Sequence, residues 1–340
     1  MRLATLFAAG LLMMLGLAAH AGDVGFQQLT IQDGAEKPLT VGVWYPTDAP
    51  VSLQPLGSFT QSVAAGAPVA GANLPLVVMS HGTGGWYGEH YDTALALAHA
   101  GFVVAAVSHT GDTYDDHSQA ALIWKRPAQI HRLIDYMLAD WSDHGRIDAG
   151  RVGVFGFSAG GFTALVAAGG TADLNLVKPH CLKLPAAFEC GMLAKASAAD
   201  LASIIPPRSA FVHDARIRAA VVAAPALGFS FEREGLKDIH VPMQLWRAED
   251  DHVLPNPDYA QAVRDALPRA PDYHVVANAD HFDFLAPCSE LLAQRAPDIC
   301  MERPGFDRAA FHAEFDQAVV AFFERTLRAT GSWRARRPAY

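Results

Sequence analysis

The fold follows from RVGVFGFSAGGFTALVAA, residues 151–168. Val152 to Phe155 form a short apolar run of strand type, and the alanine-rich run from Thr163 to Ala168 is of helix type. Between them Gly156-Phe157-Ser158-Ala159-Gly160 leaves the chain only a few residues in which to reverse. A strand that turns at once into a helix is the unit of a parallel sheet covered by helices. The small residues around Ser158 let neighbouring segments approach, and the turn lifts the serine oxygen clear of the backbone. A serine that merely caps a helix behind a glycine turn would give similar letters, so the rest of the chain has to decide.

Outward from this turn, β-type runs alternate with helical ones. Strands are predicted at Phe26–Ile31, Leu39–Tyr45, Leu76–Ser80, Val103–Ser108, Arg151–Phe157, Ile217–Ala223, Met243–Arg247 and Tyr273–Val276. Helices are predicted at His90–Ala100, Pro127–Ala139, Ala159–Ala168, Asp258–Ala266 and Arg308–Leu327. The sum is one α/β domain with a doubly wound, mostly parallel, eight-stranded sheet whose first two strands form an antiparallel edge hairpin across Asp33-Gly34. Residues 47–73, rich in Pro, Gly, Ala and Ser, read as a surface excursion. Residues 170–216 interrupt the alternation at the carboxyl side of the sheet, where α/β folds bind ligands, and read as a cap insertion.

Composition narrows what such a domain does. With 51% hydrophobic and 18% charged residues the chain suits a packed core and not a disordered or fibrous one. A net charge of −9 offers no broad cationic surface, which argues against a nucleic-acid partner. Met1-Arg2, the apolar run Leu3 to Leu17 and Ala19-His20-Ala21 read as a signal peptide cleaved after Ala21. That run is shorter than the roughly 20 apolar residues a membrane span needs. The domain is therefore taken as 22–340, secreted or periplasmic, without stable membrane insertion.

Four cysteines fit an oxidising compartment, and proximity pairs Cys181 with Cys190 and Cys288 with Cys300, one of three possible connectivities. No CxxC or HExxH spacing supports zinc. The basic Trp333-Arg334-Ala335-Arg336-Arg337 reads as a solvated end. Nothing in the sequence bears on oligomeric state.

A reactive serine needs a base, an acid to orient that base, and donors for an oxyanion. His81-Gly82-Thr83-Gly84-Gly85 follows the strand Leu76–Ser80, and its glycines let backbone amides point into the crevice. The donors assigned are the amides of Thr83 and Ala159. Neither a Walker lysine nor GxGxxG accompanies this loop, which sets a phosphate cradle aside and implies no cofactor. The acid belongs after the strand Met243–Arg247, where Asp251 is chosen over Asp250, with Glu232 as a third option. The base belongs after the last strand, where His281 completes the order Ser158, Asp251, His281. His81 reads as a structural histidine, and His109, His252 and His274 as surface or supporting ones. Trp86, Tyr87, Phe157 and Phe162 are candidates for an apolar site wall.

Taken in order, HGTGG, GFSAGG, DHVLP and ADHFDFLAPC resemble the α/β-hydrolase superfamily. They resemble in particular the dienelactone hydrolase-like secreted esterases related to bacterial platelet-activating-factor acetylhydrolase-type enzymes, over about residues 38–325. The resemblance implies an α/β-hydrolase fold and a Ser-His-Asp esterase acting on small-molecule esters without a cofactor. True dienelactone hydrolases carry a cysteine nucleophile where this chain has Ser158, which favours general carboxylic esters over lactone opening. In the acetylhydrolase branch the acid can follow the preceding strand, where Pro225-Ala226-Leu227-Gly228 offers none. Two alternatives remain: a secreted peptidase or amidase on the same fold, and a non-catalytic binding protein.

Overall fold

A computed structural model describes residues 22–301 and 303–327. The signal peptide read at 1–21 and the basic end at 333–337 lie outside the described residues. Ten strands form the sheet: β1 (Asp23–Asp33), β2 (Glu36–Thr47), β3 (Ser52–Leu56), β4 (Phe59–Ala65), β5 (Leu74–Ser80), β6 (Val103–Ser108), β7 (Ile147–Phe157), β8 (Ile217–Ala223), β9 (Met243–Ala248) and β10 (Asp272–Val276). Their spatial order is β10-β9-β8-β7-β5-β6-β2-β1-β4-β3. From β6 through β5, β7, β8 and β9 to β10 every pairing is parallel. β2 runs antiparallel to β6 and to β1.

The eight predicted strands all lie within observed ones, but the count is ten. Residues 47–73 do not simply wander over the surface: β4 pairs in parallel with β1 through Gly25–Ala64 and Phe26–Ala65, and β3 folds back antiparallel on β4. Within β4 the alternation is genuine, because Phe59, Gln61 and Val63 are buried while Thr60 and Ser62 are exposed. The polar Gln61 on the buried face hid that period in the sequence. Gln61 is held inside by the Trp44 indole, whose Nε1–H donates to Oε1 at 2.8 Å.

Eleven α-helical segments are present among the described residues. In chain order they are α1 (Tyr91–His99), α2 (Arg126–Ala139), α3 (Ala159–Ala167), α4 (Val177–Lys183), α5 (Phe188–Leu193), α6 (Ala198–Ser203), α7 (Arg233–Leu236), α8 (Ala260–Ala266), α9 (Glu290–Arg295), α10 (Pro297–Cys300) and α11 (Arg308–Thr326). Alternation along the central strands feeds two cores. Leu76, Val78, Val103, Val107, Val152 and Val154 pack with α2, α3 and α8 on one face. Val77, Met79, Val104, Phe155 and Phe157 pack with α1 and α11 on the other. Burying each such side chain contributes about 1.5–3 kcal/mol, which is why the central strands read as continuous apolar runs.

Residues 170–216 fold as α4, α5 and α6 with short connections, and Cys181–Cys190 ties α4 to α5. A second disulfide, Cys288–Cys300, closes the segment that holds α9 and α10. Both pairs are those expected from proximity. No helix among the described residues is long and apolar enough to cross a membrane.

Candidate active site

The turn between β7 and α3 places Ser158 at φ 54°, ψ −116°, a backbone conformation that L-residues rarely adopt. Holding it costs on the order of 1–3 kcal/mol, and three hydrogen bonds oppose that cost. The Ser158 N–H donates to the Ala223 carbonyl at 2.9 Å, and the Ser158 carbonyl accepts from Phe162 at 3.1 Å and Ala226 at 2.9 Å. A Cβ at position 156 would overlap the Gly160 carbonyl, and one at 160 would overlap the Ser80 carbonyl. Glycine is therefore required at both positions for the turn to close.

His281 lies at the start of a short 3-10 turn, His281–Phe284, after β10. The Asp280 side chain accepts from the His281 N–H at 2.7 Å, and the Asp283 side chain accepts from the Asp280 N–H at 2.7 Å. This reciprocal cap fixes the turn locally. Packed against Phe157 at a centroid distance of 4.9 Å, the imidazole is buried. Its Nε2 is 3.1 Å from Ser158 Oγ and its Nδ1 is 2.8 Å from Asp251 Oδ2. Asp251 follows β9, and its other oxygen accepts from the amides of Val253 at 3.0 Å and Leu254 at 2.6 Å. A carboxylate fixed in this way accepts the Nδ1–H, which leaves the Nε2 lone pair facing the serine hydroxyl.

The other acids are placed elsewhere. Asp250 pairs with Arg303 at 2.9 Å on the surface, and Glu232 is exposed ahead of α7. His252 is an exposed partner of Asp280 and His274 stacks on Trp246, whereas His109 is fully buried.

In the loop after β5 most amides are already engaged. Gly82 N–H donates to Glu89 at 2.9 Å, Gly84 N–H to Asp112 at 2.9 Å and Gly85 N–H to the Gly82 carbonyl at 3.3 Å. Among the described residues the amides of Thr83 and Ala159 donate to no protein acceptor. Ala159 is the first residue of α3, where a helix leaves its N–H groups free and partially positive.

Residues that sequence reading missed hold this loop in place. Buried Arg126, at the start of α2, donates to the His81 carbonyl at 2.6 Å, the Gly82 carbonyl at 3.0 Å and Asp112 at 2.5 and 3.1 Å. Asp112 in turn accepts the Gly84 amide. His81 accepts the His109 N–H at Nε2, 3.0 Å away, so its Nδ1–H donates to the Gly82 carbonyl at 2.6 Å. Burial, and after it the Arg126 charge, pushes its pKa down to about 4, so the ring is a neutral structural element at ordinary pH. An arginine before a proline at a helix start has no motif; only the fold brings it under the loop.

Ser158 and His281 open into a cavity of about 600 Å³ walled by Trp86, Phe157, Phe282, Leu285, Leu292 and Ile299. Two expected wall residues are not there: Tyr87 packs against Trp44 and donates its hydroxyl to Gln28, and Phe162 packs against Phe231 in the core.

A solved structure similar to this chain along its length is a ferulic acid esterase from Streptomyces cinnamoneus, 22% identical, covering 96% of each chain with a TM-score of 0.63. The fold is that of the α/β-hydrolases. Within it, residues 62–179 match the model of the Dienelactone hydrolase family, a span that runs from β4 through the Thr83 loop and the Ser158 turn into α4. No curated protein matches the sequence. In this α/β-hydrolase fold the cavity lies where the carboxyl ends of β5, β7, β9 and β10 converge, the crevice in which such sheets bind ligands. The disulfide-closed segment Cys288–Cys300 supplies Leu292, Arg295, Ala296 and Ile299 to its wall.

Proposed function

We propose that this protein is an extracytoplasmic serine hydrolase that cleaves carboxylic esters, with Ser158, His281 and Asp251 as its triad and the segment 170–216 as its cap. The observation that carries the reading is the continuous relay from Asp251 through His281 to Ser158, with contacts of 2.8 and 3.1 Å, facing an apolar cavity. The match to the Dienelactone hydrolase family over the loop and the turn, and the likeness to an esterase fold, support the same conclusion. Two disulfides and the leader-like first residues support the compartment.

In this mechanism the His281 Nε2 takes the hydroxyl proton as Ser158 Oγ bonds to the ester carbonyl carbon. The negative charge that develops on the carbonyl oxygen is met by the Thr83 and Ala159 amides, each commonly worth about 3 kcal/mol of transition-state stabilisation. Collapse breaks the bond to the alcohol oxygen, which leaves with the proton from His281. Water, deprotonated by the same imidazole, then releases the acid and regenerates the serine. Asp251 stays ionised throughout, holding the tautomer and compensating the imidazolium.

Turnover of p-nitrophenyl acetate by the wild type and by Ser158→Ala tests the assignment. The substitution is expected to remove turnover while leaving the circular-dichroism melting curve in place, and retained turnover would refute it. Asp251→Asn should lower kcat by roughly 10⁴-fold, because it presents the wrong tautomer to the serine.

A further inference from the structure

A second, smaller cavity adjoins the first. It measures about 50 Å³ and is walled by Leu174, Val177, Met192, Leu193, Leu227 and Leu254, with Ala121 and Glu189 among the remaining residues. Thr83 and Phe188 line both cavities and, among the described residues, are the only ones common to the two walls. Phe188 stands at the first position of α5, two residues before the Cys190 that ties this helix to α4. Phe188 is 43% exposed, and its backbone belongs to a helix that the disulfide ties to α4.

The small cavity is apolar in effect. Its one carboxylate, Glu189, is occupied: both oxygens accept from the Tyr259 hydroxyl, at 2.9 and 3.1 Å, and Oε1 lies 3.0 Å from His180 Nε2. Among the described residues, a group entering this space meets hydrocarbon walls and no free hydrogen-bonding side chain except that of Thr83. Since a water-sized group takes about 30 Å³, the space holds one or two methyl-sized groups. The large cavity falls within the range of about 300–1,000 Å³ that accommodates a drug-sized ligand.

Thr83 gives the two spaces a chemical relation. On the reading of Ser158 as nucleophile, on which this inference rests, the Thr83 amide receives the carbonyl oxygen. The ester carbonyl then lies where the two cavities meet. We infer that Phe188 divides the site into a large and a small compartment on either side of the scissile ester. The substrates are accordingly esters with one bulky apolar substituent and one of no more than about two carbons.

The test is a set of kcat/KM values for wild type, Phe188→Ala and Ala121→Leu on two ester series. One series varies the acyl group from acetyl to octanoyl on 1-naphthol; the other varies the alcohol from methyl to octyl on 2-naphthylacetic acid. In the wild type one series should fall at least tenfold between two- and four-carbon groups, since a single misfitting methylene costs about 10–200-fold. The series that falls tells whether the small compartment takes the acyl or the alcohol group. Phe188→Ala should raise the four-carbon to two-carbon ratio of that series at least tenfold, and Ala121→Leu should lower it further. Each ratio is taken within one variant, so a change in the folded fraction cancels. A flat wild-type profile in both series, or a ratio unmoved by Phe188→Ala, would overturn the division. Absence of any wild-type turnover in both series would overturn the Ser158 reading and this inference with it.

Discussion

The loop that presents Thr83 and the turn that presents His281 face the same cavity, but they are built in opposite ways. The His281 turn is fixed from within, by Asp280 and Asp283 capping each other's backbone across three residues. Remote residues add to this cap: buried Arg308 donates to Asp283 at 3.2 Å and to the Ile299 carbonyl at 3.0 Å, the His252 amide donates to Asp280 at 2.9 Å, and His312 Nε2 lies 3.0 Å from the Asp283 carbonyl. The Thr83 loop has no such local cap. Its carbonyls and amides are held by Arg126, Asp112 and Glu89, which come from later segments of the chain and meet under the loop. Glycines that let amides face a substrate cannot also fix the loop, so buried charge from outside has to do so.

The sharpest way to break this contrast is to remove the remote support. Arg126→Met strips the buried Asp112 carboxylate of its counter-charge and removes a donor from each of the His81 and Gly82 carbonyls, and should cost about 3–5 kcal/mol of stability in urea denaturation. Ester kcat should fall as well, because Thr83 loses its fixed position. A loss below about 1 kcal/mol would mean that the loop holds its own shape.

Acid titration separates the two regions by pH window. The His81 pKa is depressed in the folded protein, to about 4 from 6.5, so its contribution is complete above pH 6.5 and is lost as pH falls toward 4. The shift corresponds to roughly 3 kcal/mol at the acid end of that window. Asp280 behaves differently: burial alone would raise its pKa, but hydrogen bonds from the His252 and His281 amides bring it below the usual 3.8. Its contribution is present above that value and is lost as pH falls below it. Stability measured from pH 7 to 3 should therefore decline in two stages, and His81→Asn should make only the first shallower, because buried His109, whose pKa is also lowered, contributes to the same window. A single transition below pH 4, identical in wild type and variant, would contradict the assignment.

The smallest expected effect is on the local cap. Asp280→Ala should cost about 1 kcal/mol, the usual worth of a capping side chain, with kcat reduced because His281 loses its anchor. Equal losses for Asp280→Ala and Arg126→Met would erase the distinction between the two designs.

The same distinction explains what could be read in the sequence. Strands β5 to β8 were legible from their nearly continuous apolar runs and β9 and β10 from β-type residues between turn signals, and the turn at Ser158 because Gly156 and Gly160 are sterically required. Strands β3 and β4 were not, since Gln61 puts a polar residue on the buried face between Phe59 and Val63 and breaks the apolar alternation. Ser158, Asp251 and His281 could be proposed from their order after successive strands, and the structure brings them within hydrogen-bonding distance. Arg126 and Asp112 could not, because their role exists only between elements and leaves no local pattern. Tyr87 and Phe162 were ambiguous for a similar reason: an aromatic next to a site loop serves the wall or the core according to which way it faces.

Covalent labelling with a fluorophosphonate, which reacts with an activated serine, followed by peptide mass spectrometry, tests the role of Ser158 most directly. One adduct per chain is expected, on Ser158, and its formation should slow by several orders of magnitude in His281→Ala. Labelling at another serine, or an unchanged rate in that variant, would contradict the claim that His281 activates Ser158.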